Sequence, residues 1–207
     1  MDMFKEFIKH LFPRVTLKKN LRFTYTLCLG GLSFTAFLML VISGILLAIY
    51  YTPEPAQAYN SIIFIEENVS GGRYIRNLHR FSSNVFLVLI FLHILRVILT
   101  GAFLSRRYNW VIGLLLLFLS IFTGYTGYLL PMDQLSYWAT QTGAELIKIL
   151  PFGDYIYNII IPDAIGGRLT LIRFYALHII ILPLLITGLS FIHFFRVRRD
   201  KGVLPYL

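Results

Sequence analysis

Charge is the scarcest property of this 207-residue chain: 14% of its residues are Asp, Glu, Lys or Arg, against about 25% in an ordinary soluble domain. That scarcity excludes a soluble globule. Acids are scarcer still, 10 against 19 Lys and Arg. Cysteine is nearly absent, Cys28 being the only one, so a disulfide scaffold is excluded. With 57% apolar residues the chain is not disordered either. Residues 1–22 are basic and hold no continuous apolar core, so no cleavable signal is expected there.

What the sequence does contain is long runs free of charge. Arg22 to Glu54 encloses 31 uncharged residues, Arg107 to Asp133 encloses 25 and Arg173 to Arg196 encloses 22. Each exceeds the roughly 20 residues that cross a hydrocarbon core as a helix. A fourth run, Phe81 to Leu95, spans only if Arg80 and Arg96 sit at its boundaries. The expectation is an all-α transmembrane four-helix bundle over residues 23–207, with spans at about 23–51, 78–103, 110–130 and 172–195, preceded by a basic interfacial segment at 1–22. Residues 1–22, the turn between the second and third spans with Arg96 beside it, and the tail together hold 13 of the 19 bases and three acids. The other two loops hold six bases and seven acids. Both termini are therefore expected on the cytoplasmic side, and the positive charge reads as topology and lipid anchoring, not as a nucleic-acid surface. The two outer loops, Thr52–Asn77 and Pro131–Thr170, are long enough for short interfacial helices, one expected over Asp133–Leu150 after Pro131. The turn carrying Arg106, Arg107 and Asn109 is expected to be tight.

Four of the five histidines fall in or beside spans: His79 and His93 on the second, His178 and His193 on the fourth. Polar residues at that depth are costly and usually functional. Spacings of 14 and 15 residues place both histidines of each span on roughly one face, about 21 to 22 Å apart along the axis. Both spans run from the outer to the inner side, so His79 pairs with His178 near the outer face and His93 with His193 near the inner. Two histidines from facing helices supply the two axial ligands of a six-coordinate haem iron. Zinc needs more ligands than either level offers; copper and a proton relay are weaker alternatives. A hydrogen bond to a neighbouring helix accounts for one buried histidine, but poorly for four at two matching levels.

Glycines repeat the same interval. Gly30 and Gly44 on the first span are 14 apart, as are Gly113 and Gly127 on the third. A missing side chain lets another body approach a backbone closely, although any single glycine is explained as well by helix contact. Arg76 lies three residues before His79 and Arg96 three after His93, each placed to pair with a haem propionate. Arg80, Arg173 and Arg198 sit at the same boundaries, where snorkelling to lipid phosphate explains them equally. Asp133 and Glu145 read as solvated loop charges.

The stretches CLGG (Cys28–Gly31), IRNLHRF (Ile75–Phe81), LHILRVILTGAF (Leu92–Phe103), GYTGYLLPMDQLSYWA (Gly124–Ala139) and LTLIRFYALHIIILPLL (Leu169–Leu185) together resemble the cytochrome b family. The likeness runs from about Thr24 to Gly202 and is to the split, cytochrome b6-type form, whose 15-residue spacing His178–His193 shares. The resemblance implies that His79 and His178 hold an outer, low-potential b haem and His93 and His193 an inner, high-potential one, packed against Gly30, Gly44, Gly113 and Gly127. Cys28 matches a cysteine that carries a third haem by one thioether bond. Tyr128, Leu129, Pro131, Ser136 and Trp138 fall on the wall of the outer quinol site, and Arg198 on a basic residue near the inner quinone site. The first 23 residues depart from the family pattern.

By that resemblance the chain is expected to be the diheme subunit of a quinol:cytochrome c or plastocyanin-type oxidoreductase, coupling quinol oxidation to proton translocation. The implied partners are a three-helix C-terminal half, a Rieske iron–sulfur protein and a c-type cytochrome in a homodimeric complex. The implied location is a bacterial cytoplasmic membrane, ahead of a thylakoid. Two alternatives stand beside it. A diheme anchor of a hydrogenase or formate dehydrogenase lacks the paired glycines, and a haem-handling transporter calls for broken helices near the midplane, where Pro183 is the one candidate break.

Overall fold

Helices account for nearly all of the described residues, because the apolar runs are long. The computed structural model describes residues 27–199, with only the backbone for Arg198 and Arg199, and no strand occurs among them. In chain order the helices are α1 (Leu29–Ala48), α2 (Pro55–Glu67), α3 (Gly72–Leu99), the single turn α4 (Ala102–Ser105), α5 (Arg107–Leu129), α6 (Gln134–Lys148), α7 (Gly153–Ile160), α8 (Arg168–Ala176) and α9 (Leu182–Arg199). A π-helical turn, Leu177–Ile181, joins α8 to α9. Thus α1, α3, α5 and the run Arg168–Val197 are four helices long and apolar enough to cross a membrane. The basic segment 1–22 lies outside the described residues.

The boundaries differ from the sequence expectation in instructive ways. α3 starts at Gly72, six residues before the expected Leu78, and brings Arg73 and Arg76 into its first turns. Charges were expected to mark the helix end, but a helix protrudes freely past the hydrocarbon once its side chains reach water. The start is set by Gly71, at φ 74°, and by Gly72, where a Cβ would overlap the Ile65 carbonyl of α2. The fourth span likewise begins early, at Arg168. The expected tight turn is shifted: α5 already includes Arg107 and Asn109, and the connection is residues 100–106 with α4 inside it.

The loops are helical and tied to the bundle. Pro55 opens α2, where its missing N–H costs nothing. Asp133 caps α6 by accepting from the Ser136 amide at 2.7 Å. The Asp163 carboxylate caps α8 from a distance, accepting from the Leu169 and Thr170 amides (2.8 and 3.1 Å) and the Thr170 hydroxyl (2.5 Å). Burial raises the Asp163 pKa, but these hydrogen bonds outweigh it and bring it down to about 2. Tyr51 donates to the Leu130 carbonyl at 2.6 Å, and Tyr125 to that of Thr140 at 3.0 Å.

Two apolar clusters order the interior. One joins the loops to the helix ends through Ala58, Leu129, Ala144, Ile161, Leu171 and Phe174. The other, Ala36, Phe37, Phe86, Leu119, Leu182 and Ile186, fills mid-bundle. The helices pack as two pairs, α1 with α3 and α5 with α9, while α3 and α9 hardly touch along their backbones.

Candidate functional site

The four intramembrane histidines occupy two levels, and a glycine of the neighbouring helix receives each ring. A Cβ on Gly44 would stand 3.2 Å from His79 Cε1, and one on Gly30 3.2 Å from His93 Cε1. A Cβ on Gly113 would stand 3.5 Å from His193 Cε1, and one on Gly127 would run into the His178 ring. Beside each of the four glycines the nearest side chain is therefore an imidazole. These contacts also fix the geometry. The start of α1, the end of α3, the start of α5 and the end of α9 share one end of the bundle with His93 and His193.

At the other level His79 and His178 have ring centroids 6.2 Å apart, with planes at 72°. Two imidazoles brought this near from separate helices would be the residues to hold one metal centre between them. The tautomers are determined by second partners. His178 Nδ1 lies 2.9 Å from the Thr123 carbonyl, which can only accept, so Nδ1 carries the proton and Nε2 is left as the ligand atom. His79 Nδ1 lies 2.9 Å from Ser43 Oγ. At the second level His93 and His193 are close enough to influence each other electrostatically. His193 Nδ1 is buried without a hydrogen-bond partner among the described residues; the Asn109 carbonyl is near but outside bonding geometry.

The fourth span meets this arrangement although its histidines are 15 residues apart and those of α3 are 14. In a straight α-helix the extra residue would swing the second ring by about 100°. The π turn at Leu177–Ile181 absorbs that residue. Its cause is Pro183, which has no N–H for the Ile179 carbonyl and whose ring crowds the preceding turn. Between the levels, Phe37 stands midway between Gly30 and Gly44, and Phe86 midway between His79 and His93. Their centroids are 5.9 Å apart, and they close the bundle centre with Leu119 and Ile186.

The other expected site residues are placed less uniformly. Arg76 forms an ion pair with Glu66 of α2, so its guanidinium is held beside the His79 level. Arg96 is half-buried and near His93, whereas Arg80 is exposed. Arg173 donates to the Ile159 carbonyl, and Arg168 pairs with Glu54 at 3.1 Å. Arg196 covers the Tyr108 ring at 5.3 Å, with its Nε buried and unbonded among the described residues. Cys28 is exposed at the N-cap of α1, two residues before Gly30 and hence at the His93 end, with φ 46°. The side chain of Arg198 lies outside the described residues.

Of the expected quinol-site wall, Tyr128 and Trp138 are exposed and Pro131 is half-buried. Leu129 and Ser136 are buried, at 0% and 1% exposure. Leu129 belongs to the apolar core and Ser136 to the α6 cap. Beside them an open cleft of about 470 Å³ is lined by Tyr59, Met132, Asp133, Gln134 and Leu135. Met132 is at φ 53°, which aims this turn. Sequence reasoning missed Ser43, Thr123, Glu66 and Tyr59, whose parts depend on which helices are neighbours.

A bis-imidazole haem fits what is present. Each level offers two histidines, no group of three or more His, Cys, Asp or Glu is placed to hold a metal ion among the described residues, and the histidine-bearing helices α3 and α9 stand apart. The cytochrome b/b6/petB family model matches residues 14–201. The chain is 43% identical over 173 residues to the cytochrome b6 of Heliobacterium mobile, covering 83% of this chain and 81% of that protein. It is 32% identical over 202 residues to the menaquinol:cytochrome c reductase cytochrome b subunit of Bacillus subtilis (strain 168), covering 96% and 90%. Among solved structures, a chain of a hyperthermophilic respiratory Complex III superposes with a TM-score of 0.83 at 29% identity over 98% of this chain. The present chain spans 55% of the length of that one. Its four apolar helices are those of a multi-pass integral membrane protein, and the chain belongs to the cytochrome b/b6 family.

Proposed function

We propose that this chain is the diheme b-type subunit of a quinol:cytochrome c, or plastocyanin-type, oxidoreductase that oxidises quinol at its outer end and reduces quinone at its inner end, with proton translocation. The observation that carries the reading is the set of four histidines at two levels, each ring seated on a glycine of the neighbouring helix. Haem, when bound, supplies one-electron chemistry at its iron. The rest is work for the protein. His79 and His178 ligate at the outer level and His93 and His193 at the inner. Thr123 orients the His178 ring, and Phe37 and Phe86 keep water out between the levels. Arg76, Arg80 and Arg96 offset propionate charge, with Glu66 holding Arg76 in place. Tyr128, Pro131 and Trp138, beside the Met132 cleft, form the outer quinol wall; Arg198 serves the inner quinone site.

Cys28 is proposed as the attachment point of a third haem at the inner end. The partners proposed are a three-helix C-terminal half, a Rieske protein and a c-type cytochrome in a homodimer, in keeping with the reductase relative. The positive-inside distribution orients both ends toward the cytoplasm of a bacterial membrane. Pyridine haemochrome quantitation on the purified complex tests the reading. Two extractable b haems per chain are expected, one lost in His178→Leu and the other in His193→Leu, with a haem-stained band on a denaturing gel lost in Cys28→Ala. A folded chain that takes up no haem overturns it.

A further inference from the structure

Ser43 has a constrained role at the His79 ring. It is 2% exposed, and its hydroxyl lies 2.6 Å from the Met39 carbonyl, 3.2 Å from that of Leu40 and 2.9 Å from His79 Nδ1. A hydroxyl has one proton, and the shorter contact to Met39 takes it. Toward His79 the oxygen can then only accept, so Nδ1 carries a hydrogen and Nε2 is left to the metal. The neighbouring Gly44 removes the side chain that would block the ring. Residues 43 and 44 therefore act together, one admitting the imidazole and the other fixing its tautomer.

The same dipeptide position recurs 14 residues earlier without the hydroxyl. Leu29 precedes Gly30 at the His93 level, as Ser43 precedes Gly44 at the His79 level. α5 repeats the asymmetry. Ile112 precedes Gly113 near His193, whereas Thr126 precedes Gly127 near His178, with its hydroxyl and His178 Nδ1 both directed at the Thr123 carbonyl (3.0 and 2.9 Å). One level thus has both Nδ1 atoms hydrogen-bonded, and at the other His193 Nδ1 has no partner among the described residues.

We infer that Ser43 is a positioning residue that strengthens His79 as a donor and lowers the potential of the His79/His178 haem. An Nδ1–H that donates a hydrogen bond leaves Nε2 more basic. A more basic ligand stabilises the oxidised iron and lowers its potential, and hydrogen bonding around the metal is one of the protein's levers on that quantity. This inference rests on the diheme reading above.

The test is an optical redox titration of the intact complex carrying Ser43→Ala or Ser43→Thr. Ser43→Ala is expected to raise one midpoint potential, that of the haem lost in His178→Leu, and to leave the other unmoved. Ser43→Thr, which keeps the hydroxyl, is expected to restore the original value. If Ser43→Ala does not assemble, Ser43→Cys, close in size and a weaker acceptor, is read for the same upward shift. Unmoved potentials, equal shifts of both, or a Ser43→Thr value as displaced as that of Ser43→Ala overturn the inference, the first because the Leu40 carbonyl, also near His79, would then suffice. Two haems with unmoved potentials defeat only the role of Ser43, whereas no haem in the unsubstituted chain defeats the diheme reading itself.

Discussion

The four glycines that face histidines differ in how much room they leave, and this turns a repeated motif into a graded prediction. At Gly127 an added methyl would fall within 2.9 Å of both His178 ring nitrogens, at Gly30 and Gly44 it would lie 3.2 Å from a ring carbon, and at Gly113 it would find 3.5 Å, an ordinary contact. Gly127→Ala must therefore displace the imidazole or the helix, an overpacking cost of about 1–3 kcal/mol. The expected outcome is loss of one haem in Gly127→Ala, partial loss in Gly44→Ala and Gly30→Ala, and full retention in Gly113→Ala, read by reduced-minus-oxidised spectra. Gly31 and Gly188 meet nothing within 4 Å and serve as controls in which alanine is harmless. Equal losses at Gly113 and Gly127 would show that the glycines serve something other than the rings. The histidines and glycines are legible in the sequence because period and depth single them out. Ser43 and Thr123 are not, since a hydroxyl or a carbonyl on one helix gains meaning only once the helix it touches is known.

At the level of elements, the 15-residue interval is the feature the sequence displays without explaining. Its resolution, a π turn between His178 and Pro183, lies in plain sight as a proline one turn after a ligand. Yet periodicity treats every residue as 100° of rotation and cannot register a widened turn. The spans were legible to within two turns for the same reason that their ends were not. Hydrophobic length decides where a helix crosses, but Gly71, Gly72 and the remote Asp163 cap decide where α3 and α8 begin. If the π turn exists to absorb one residue, removing that residue should be tolerated. Deletion of Ile180 brings His178 and His193 to the interval of His79 and His93, and both haems are expected to remain. Insertion of one alanine after Ile180 rotates one ring by about 100° away from its partner, and one haem is expected to be lost. Haem content of the purified complexes checks both, and loss on deletion would mean that the widened turn is itself needed for ligation.

Across the whole molecule the packing is uneven, and on the diheme reading this gives the haems a structural part. α1 grips α3 and α5 grips α9, but the ligand helices α3 and α9 meet mainly through the central plug around Phe86, Leu182 and Ile186. Most of each span's surface faces outward, where large apolar side chains such as Ile42, Phe91 and Phe118 suit lipid or a partner subunit and add nothing to helix pairing. In lipid no hydrophobic force draws the two pairs together, so what crosses the gap must do so by direct bonds and packing. On the diheme reading proposed above, four imidazoles bridged at two levels would be the strongest such connection. A ligand that binds only the folded state stabilises it by about 4 kcal/mol at a thousandfold excess over its dissociation constant, which is a large share of a typical margin of 5–15 kcal/mol. Chains prepared under haem limitation are therefore expected to melt well below the loaded protein in detergent, and His193→Leu, keeping one level, is expected to fall between them. Limited proteolysis should follow the same order. If the haem-depleted chain melts with the loaded one, the two helix pairs hold without the bridges, and the plug alone carries the bundle.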